Sequence, residues 1–242
     1  MRKLLLLFLL LVIPSAHAGT VKVAVAANFT APMRELAKSF ERATGHRALV
    51  SYGSTGKLYA QIIHGAPFEV FLAADRERPA LLHAAGLGEA GFTYAIGRLA
   101  LWSPDPGLID DARALLQQAG FSRLAIANPK TAPYGVGALQ VLEALGALQS
   151  VQAKLVRGDN IAQTYQFVMT GNVPLAFVAI SQVTDQNEGS LWVPPQSMYE
   201  PLRQNAILLE RGREAPAAQA FIDYLQSPAA RSLIARYGYA TE

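Results

Sequence analysis

Val50-Ser51-Tyr52-Gly53-Ser54-Thr55-Gly56-Lys57-Leu58-Tyr59-Ala60 reads as a strand that breaks into a hydroxyl-rich turn and then opens a helix. Such a junction is a place to hold an anion. The first backbone N–H groups of a helix have no partner within it and lie at the positive end of its macrodipole. A bound oxyanion uses both features. Gly53 and Gly56 let the backbone turn tightly and approach a ligand, while Ser54 and Thr55 add hydroxyl donors close by. Taken alone, Ser or Thr ahead of a helix is most often a plain N-cap. What raises this one to a candidate site is the presence of three more turns of the same kind along the chain.

Working outward, Val21–Ala26 predicts a strand, Ala27-Asn28-Phe29-Thr30 a turn, and Pro32 the first turn of a helix that Gly45 stops. Met33, Leu36, Ala37 and Phe40 recur at helical spacing and face the sheet, while Arg34, Glu35, Lys38 and Glu41 face water. Ala48-Leu49-Val50 form the next strand, and the helix after it runs to about His64. Glu69–Ala74 has the apolar composition of a strand buried on both faces, followed by Asp75 capping a helix to about Ala85. Three strand–helix units in a row predict a parallel sheet with helices on both sides. Sheets of this type bind ligands outside the carboxyl ends of their strands, where the turns at Asn28 and Ser54-Thr55 both open.

The extended run Phe92–Trp102 marks a crossing out of this first unit, with a bend at Gly97. A second series follows: a helix over Ile109–Ala119, a strand over Arg123–Ala127, and the loop Asn128–Gly135 opening a helix through Leu145. A short helix near Ala147–Gln152, a strand near Lys154–Val156, the turn Arg157–Ile161 onto a helix through Met169, and a buried strand at Pro174–Ala179 complete it. Extended segments at Leu191–Val193 and Asn205–Leu209 return the chain to the first unit, and helices at Pro216–Leu225 and Pro228–Tyr237 close it. The fold class is α/β in two lobes, each a mostly parallel sheet flanked by helices, joined by two extended crossings. Lobe I comprises 19–96 with 206–242, and lobe II comprises 97–205.

Composition sets the class of function. The chain has 242 residues, 51% hydrophobic, enough for real cores. Residues 1–18 have the charged start, the short apolar run Leu4–Ile13 and the Ala16-His17-Ala18 ending of a secretory signal peptide. The mature protein is then exported and begins near Gly19. Without Arg2 and Lys3 its basic and acidic residues nearly balance, and no basic stripe offers a nucleic-acid surface. The absence of cysteine excludes disulfides, thiolate metal sites, a cysteine nucleophile and a lipid anchor on an N-terminal cysteine. Free diffusion in a periplasm, as a monomer, is the expected state.

Two turns per lobe carry Asn28, Ser54-Thr55, Tyr134 and Asn160-Ile161, nearly without charge. Facing one another across a cleft, they would surround a small ligand with neutral donors, which hold a desolvated anion without burying a cation. A fully deprotonated guest needs donors only, whereas a protonated one also needs an acceptor. Asp159 is the sole candidate acceptor, and the cap of its own helix is its other reading. Enzyme readings find less support: His46, His64 and His83 stand far apart, and no G-x-S-x-G elbow or HExxH occurs. Gly53–Lys57 lacks the glycine spacing of a P-loop and has Leu58 where a magnesium-binding hydroxyl belongs. Lys57 reads either as an anion-steering charge or as a solvated helix residue, and Tyr134 as a site residue or as helix-start packing.

Val25-Ala26-Ala27-Asn28-Phe29-Thr30, Ser51–Ile62, Gly65-Ala66-Pro67, Val70–Asp75, Asn128-Pro129 with Ala132-Pro133-Tyr134-Gly135, and Arg236-Tyr237-Gly238-Tyr239 together resemble the periplasmic molybdate-binding proteins of molybdate ABC importers. The match covers nearly the whole mature chain, in order. The resemblance implies the two-lobed type II periplasmic binding fold, and molybdate or tungstate held as an oxyanion through Asn28, Thr55, Tyr134 and Ile161, the last by its backbone. Ser54 and Ala27 adjoin these contacts. Ala179 stands where some members place a binding tyrosine, and Ala27 lacks a hydroxyl that some relatives carry, so neither offers a side-chain donor. The implied partners are a membrane permease and its cytoplasmic ATPase, with no cofactor and no catalytic residue. A receptor for sulfate or another small anion, an exported α/β hydrolase using Ser54 or Thr55, and a binding domain that signals to a membrane sensor are the alternatives.

Overall fold

The structure, a computed structural model, describes residues 18–241 apart from Asp185 and Asn187. The signal peptide read at residues 1–18 therefore lies, except for Ala18, outside the described residues. The chain forms two five-stranded sheets, each covered by helices on both faces.

The first sheet has the order β2-β1-β3-β10-β4, built from β1 Thr20–Ala26, β2 Arg47–Gly53, β3 Val70–Leu72, β4 Phe92–Gly97 and β10 Leu202–Leu208. Strands β1, β2 and β3 pair in parallel, and β10 runs antiparallel to both its neighbours. Alternation along β1 explains its double burial. Val21, Val23 and Val25 pack against α1 Thr30–Thr44, α8 Pro216–Leu225 and α9 Pro228–Arg236, while Ala24 faces α2 Thr55–Ile63 and α3 Glu77–Ala84. Gly45 ends α1 at φ 73°, a left-handed position that suits glycine.

The second sheet repeats the plan with the order β7-β6-β8-β5-β9: β5 Leu99–Ser103, β6 Leu124–Ala127, β7 Leu155–Gly158, β8 Leu175–Ala179 and β9 Ser190–Trp192. Here β5 is the antiparallel strand. Its helices are α4 Ala112–Gln118, α5 Pro133–Ala144, α6 Leu148–Val151 and α7 Ile161–Met169.

The run Phe92–Ser103 is two strands in two sheets, with the crossing at Arg98 directly after Gly97. Three details differ from the sequence reading. Leu191 and Trp192 lie in β9 and pair with β5 instead of returning to the first sheet, because β5 has an open edge to fill. The second crossing is not wholly extended: Pro194, Pro195 and Pro201 bracket a 3-10 turn at Gln196–Met198, and β10 joins the first sheet from Leu202, ahead of 206. Helix α3 starts after Arg76, although Asp75 Oδ1 still accepts from Arg78 N, as a capping residue does.

Candidate functional site

Four strand-to-helix turns, after β1, β2, β6 and β7, meet between the lobes. Asn28, Ser54, Thr55, Tyr134, Ile161 and Ala27 line one cavity there, with Ala74 and Ala132 completing its wall. The spacing is set by the sheets. In each lobe the two contributing strands are neighbours, so their carboxyl ends present adjacent helix starts. The position of the second lobe against the first is fixed nearby, where Gly56 N donates to Thr131 O at 2.9 Å. A β-carbon on Gly56 would stand 3.0 Å from Thr131 Cα. Neither Gly53 nor Gly56 has a positive φ. The role read for Gly56 is thus corrected: its lack of a side chain allows close approach of the opposite lobe, not a tight turn.

The donors differ in kind. Ser54 is 3% exposed, and its hydroxyl has no hydrogen-bond partner among the described residues. A buried hydroxyl without a partner is costly, and this one lines the cavity, where it is able to donate to a guest. Thr55 Oγ1 accepts from Ala74 N at 3.1 Å, which leaves its own hydrogen to donate. Asn28 is placed otherwise. Its Nδ2 donates to Gln204 Oε1 at 2.8 Å and to Tyr239 Oη at 3.0 Å, so both amide hydrogens are used within the protein. Its backbone turn remains to face the cavity. On the second lobe, Pro133 opens α5 at a position where the missing N–H costs nothing. Tyr134, next in that first turn, and Ile161, at the start of α7, carry N–H groups with no acceptor inside their helices. Gln182 Nε2 donates to Ile161 O at 3.1 Å and holds that turn from behind.

Among the described residues no carboxylate, imidazole or cation lines the cavity. Asp159, read as a helix cap or acceptor, does neither: Asn160, at φ −153°, caps α7 through Gln163 N, and Asp159 reaches Lys57 at 2.8 Å across the cleft mouth. Lys57 and Asp159 stay 52% and 62% exposed, so each is half-solvated even in the pair. The space is small, with room for little more than a water-sized sphere at its centre. An adjoining groove of about 410 Å³, bordered by Asp75, Arg78, Gln140, Glu200 and Arg203, is larger but open and mixed in charge. Size alone does not mark the site; chemistry does.

Beneath the cavity lies a buried polar network that the sequence did not disclose. Tyr94 Oη donates to Gln204 Oε1 at 3.0 Å, Gln204 Nε2 donates to Tyr134 Oη at 3.2 Å, and Ser181 Oγ donates to Asn28 O at 3.0 Å. Tyr239 Oη donates to the same carbonyl at 2.9 Å. Burial holds the Tyr94 and Tyr134 phenols well above their ordinary range and pushes Tyr239 up to about 12, so the network is uncharged at neutral pH. The only faint signal in the sequence was the closing Tyr237-Gly238-Tyr239, whose partners are far away in the chain. Ala179 is wholly buried at the end of β8, with its N–H donating to Gln182 Oε1. Among the described residues no cluster of His, Asp or Glu could hold a metal ion, and no helix is long and apolar enough to cross a membrane.

Comparison with known proteins bears on this geometry. Residues 21–240 match the family model of bacterial extracellular solute-binding proteins. The chain is 52% identical to the molybdate-binding protein ModA of Azotobacter vinelandii, covering 94% of this chain and 92% of the relative. It is 47% identical to the molybdate-binding protein ModA of Rhodobacter capsulatus, covering 96% and 92%. Among solved structures, the Azotobacter vinelandii periplasmic molybdate-binding protein superposes with a TM-score of 0.88 at 38% identity, covering 92% of this chain and 99% of the other.

Proposed function

The chain belongs to the bacterial extracellular solute-binding proteins and, within them, to the molybdate-binding proteins, and from that premise we propose that it captures molybdate, and tungstate with it, between its lobes. It is a solute receptor and not an enzyme. As a periplasmic monomer without cofactor, it hands the anion to the membrane permease of an ABC importer driven by a cytoplasmic ATPase.

The observation that carries the ligand class is the makeup of the cavity wall: helix-start N–H groups from both lobes, the unpartnered Ser54 hydroxyl and, among the described residues, no charged side chain. Oriented neutral dipoles stabilise a dianion in place of water. The same wall disfavours phosphate. That ion keeps a proton near neutrality and needs an acceptor, and no carboxylate is there to accept it. Ligand contacts fall on Asn28, Ser54, Thr55, Tyr134 and Ile161. Because they belong to both lobes, the guest is fully surrounded only in the shut form, which couples binding to closure.

Isothermal titration with molybdate, tungstate, sulfate and phosphate tests the reading. Heat is expected with the first two and none with phosphate. Absence of heat with both molybdate and tungstate would remove the assignment.

A further inference from the structure

Tyr134 has two ends. Its backbone N–H opens α5 at the cavity, while its side chain runs to the floor of the cleft, where both crossings meet the first sheet. There its hydroxyl accepts from Gln204 Nε2 at 3.2 Å and also hydrogen-bonds the Tyr239 hydroxyl of the first lobe. It also lies so close to Gly97 that a β-carbon there would stand 2.1 Å from the phenol oxygen and 2.5 Å from Gln204 Nε2. Gly97 ends β4, just before the first crossing, and Gln204 lies on β10, just after the second. A slot made of one residue from each hinge strand is thus filled from the opposite lobe. Gln204 is wholly buried, and its Oε1 accepts from both Asn28 and Tyr94, so its Nε2 is aimed before Tyr134 arrives.

We propose that Tyr134 is a closure bolt, its phenol seated between Gly97 and Gln204 only when the lobes are shut, so that Gly97 and Gln204 set the open–closed balance without touching the anion. For its guest this rests on the receptor reading above, but the lobe motion can be followed with no anion present. The expected size follows from linkage. Apparent affinity scales with the fraction of molecules in the competent state, and each buried hydrogen bond is worth a net two- to tenfold, roughly, in that balance, the phenol making two. Ser181, also from the second lobe, makes a parallel contact on Asn28 O. Both contacts break on opening, and the anion makes neither.

The test uses the full chain with Tyr134→Phe and Gly97→Ala, titrated with sodium molybdate and sodium tungstate, with small-angle scattering of the anion-free protein and circular dichroism as a check of folding. Tyr134→Phe keeps the backbone N–H. It is expected to weaken both anions by the same factor, about two- to a hundredfold for the loss of these bonds, and to raise the radius of gyration. Gly97→Ala is expected to weaken both by more than about tenfold, because its methyl occupies the slot. Unchanged binding in Tyr134→Phe overturns the bolt. So does a several-fold larger loss for one anion than for the other, which would put the phenol on the guest itself. If the unaltered chain binds neither anion, the receptor reading falls and the bolt is judged by scattering alone, where an unchanged radius in the variants overturns it. Should Gly97→Ala not fold, Tyr134→Phe decides.

Discussion

The two lobes share a strand order and present equivalent turns to the cavity, yet they equip it with different chemistry. The first adds side chains to its helix-start N–H groups: the unpartnered hydroxyl of Ser54 and the remaining hydrogen of Thr55, beside the Asn28 turn. The second offers backbone N–H groups at the starts of α5 and α7, with side chains occupied elsewhere. Ile161 is part of the apolar core, and the Tyr134 phenol reaches Gln204. Residue type matters in the first half of the site, whereas the second depends on where its helices begin. Substitutions that silence one half should therefore leave the other untouched.

The largest effect is expected at Gly135, which seats α5 against β6. A β-carbon there would stand 2.2 Å from Ala127 O, so Gly135→Ala must displace the helix start and the N–H groups it carries. Binding should fall about a hundredfold or vanish, as displacements near 1 Å of a positioned group do. Titration with molybdate checks this, and affinity within about threefold of the unaltered chain would show that the second lobe does not act through the seat of α5. Next comes Ser54→Ala, expected to cost about ten- to a hundredfold, the range for a hydrogen bond to a charged group. Its counterpart in the second lobe, Ile161→Val, should change affinity by less than about twofold while lowering stability by about 0.5–1.5 kcal/mol, read by thermal denaturation. Equal losses of affinity in the two variants would erase the distinction between the lobes.

The smallest effect belongs to the ion pair at the cleft mouth. Lys57→Ala leaves Asp159 unpaired beside the start of α7 and should weaken dianion binding slightly. Asp159→Asn should be neutral or mildly favourable, with every difference under about 1 kcal/mol and fading in high salt. Titrations of the two single variants and the double variant at low and high ionic strength give the coupling directly.

Much of the scaffold was legible because its punctuation is local. Pro133, Pro216 and Pro228 stand at helix starts, Gly45 stops α1, and the long apolar run breaks into β4 and β5 beside Gly97. The six residues named for the site converge for the same reason, since each sits in the turn after a strand. What failed was non-local. Gln204 on a strand looks like any polar position until the sheet order places it near Asn28, 176 residues away, and Ser181 and Tyr239 meet the same residue across 153 and 211. Adjacent residues of similar habit were also indistinguishable. Asp159 and Asn160 both cap helices well, and only the backbone decides which side chain turns back.

Strand β10 has a further consequence, in time rather than in space. It lies between β3 and β4, both made long before it, so the earlier sheet cannot close until residues 202–208 have been synthesised. The later sheet, whose five strands all fall within residues 99–192, can be complete by then. Along the chain, therefore, the lobe begun first is completed last, and any chain still lacking residues 202–208 leaves β3 and β4 each with an unsatisfied edge.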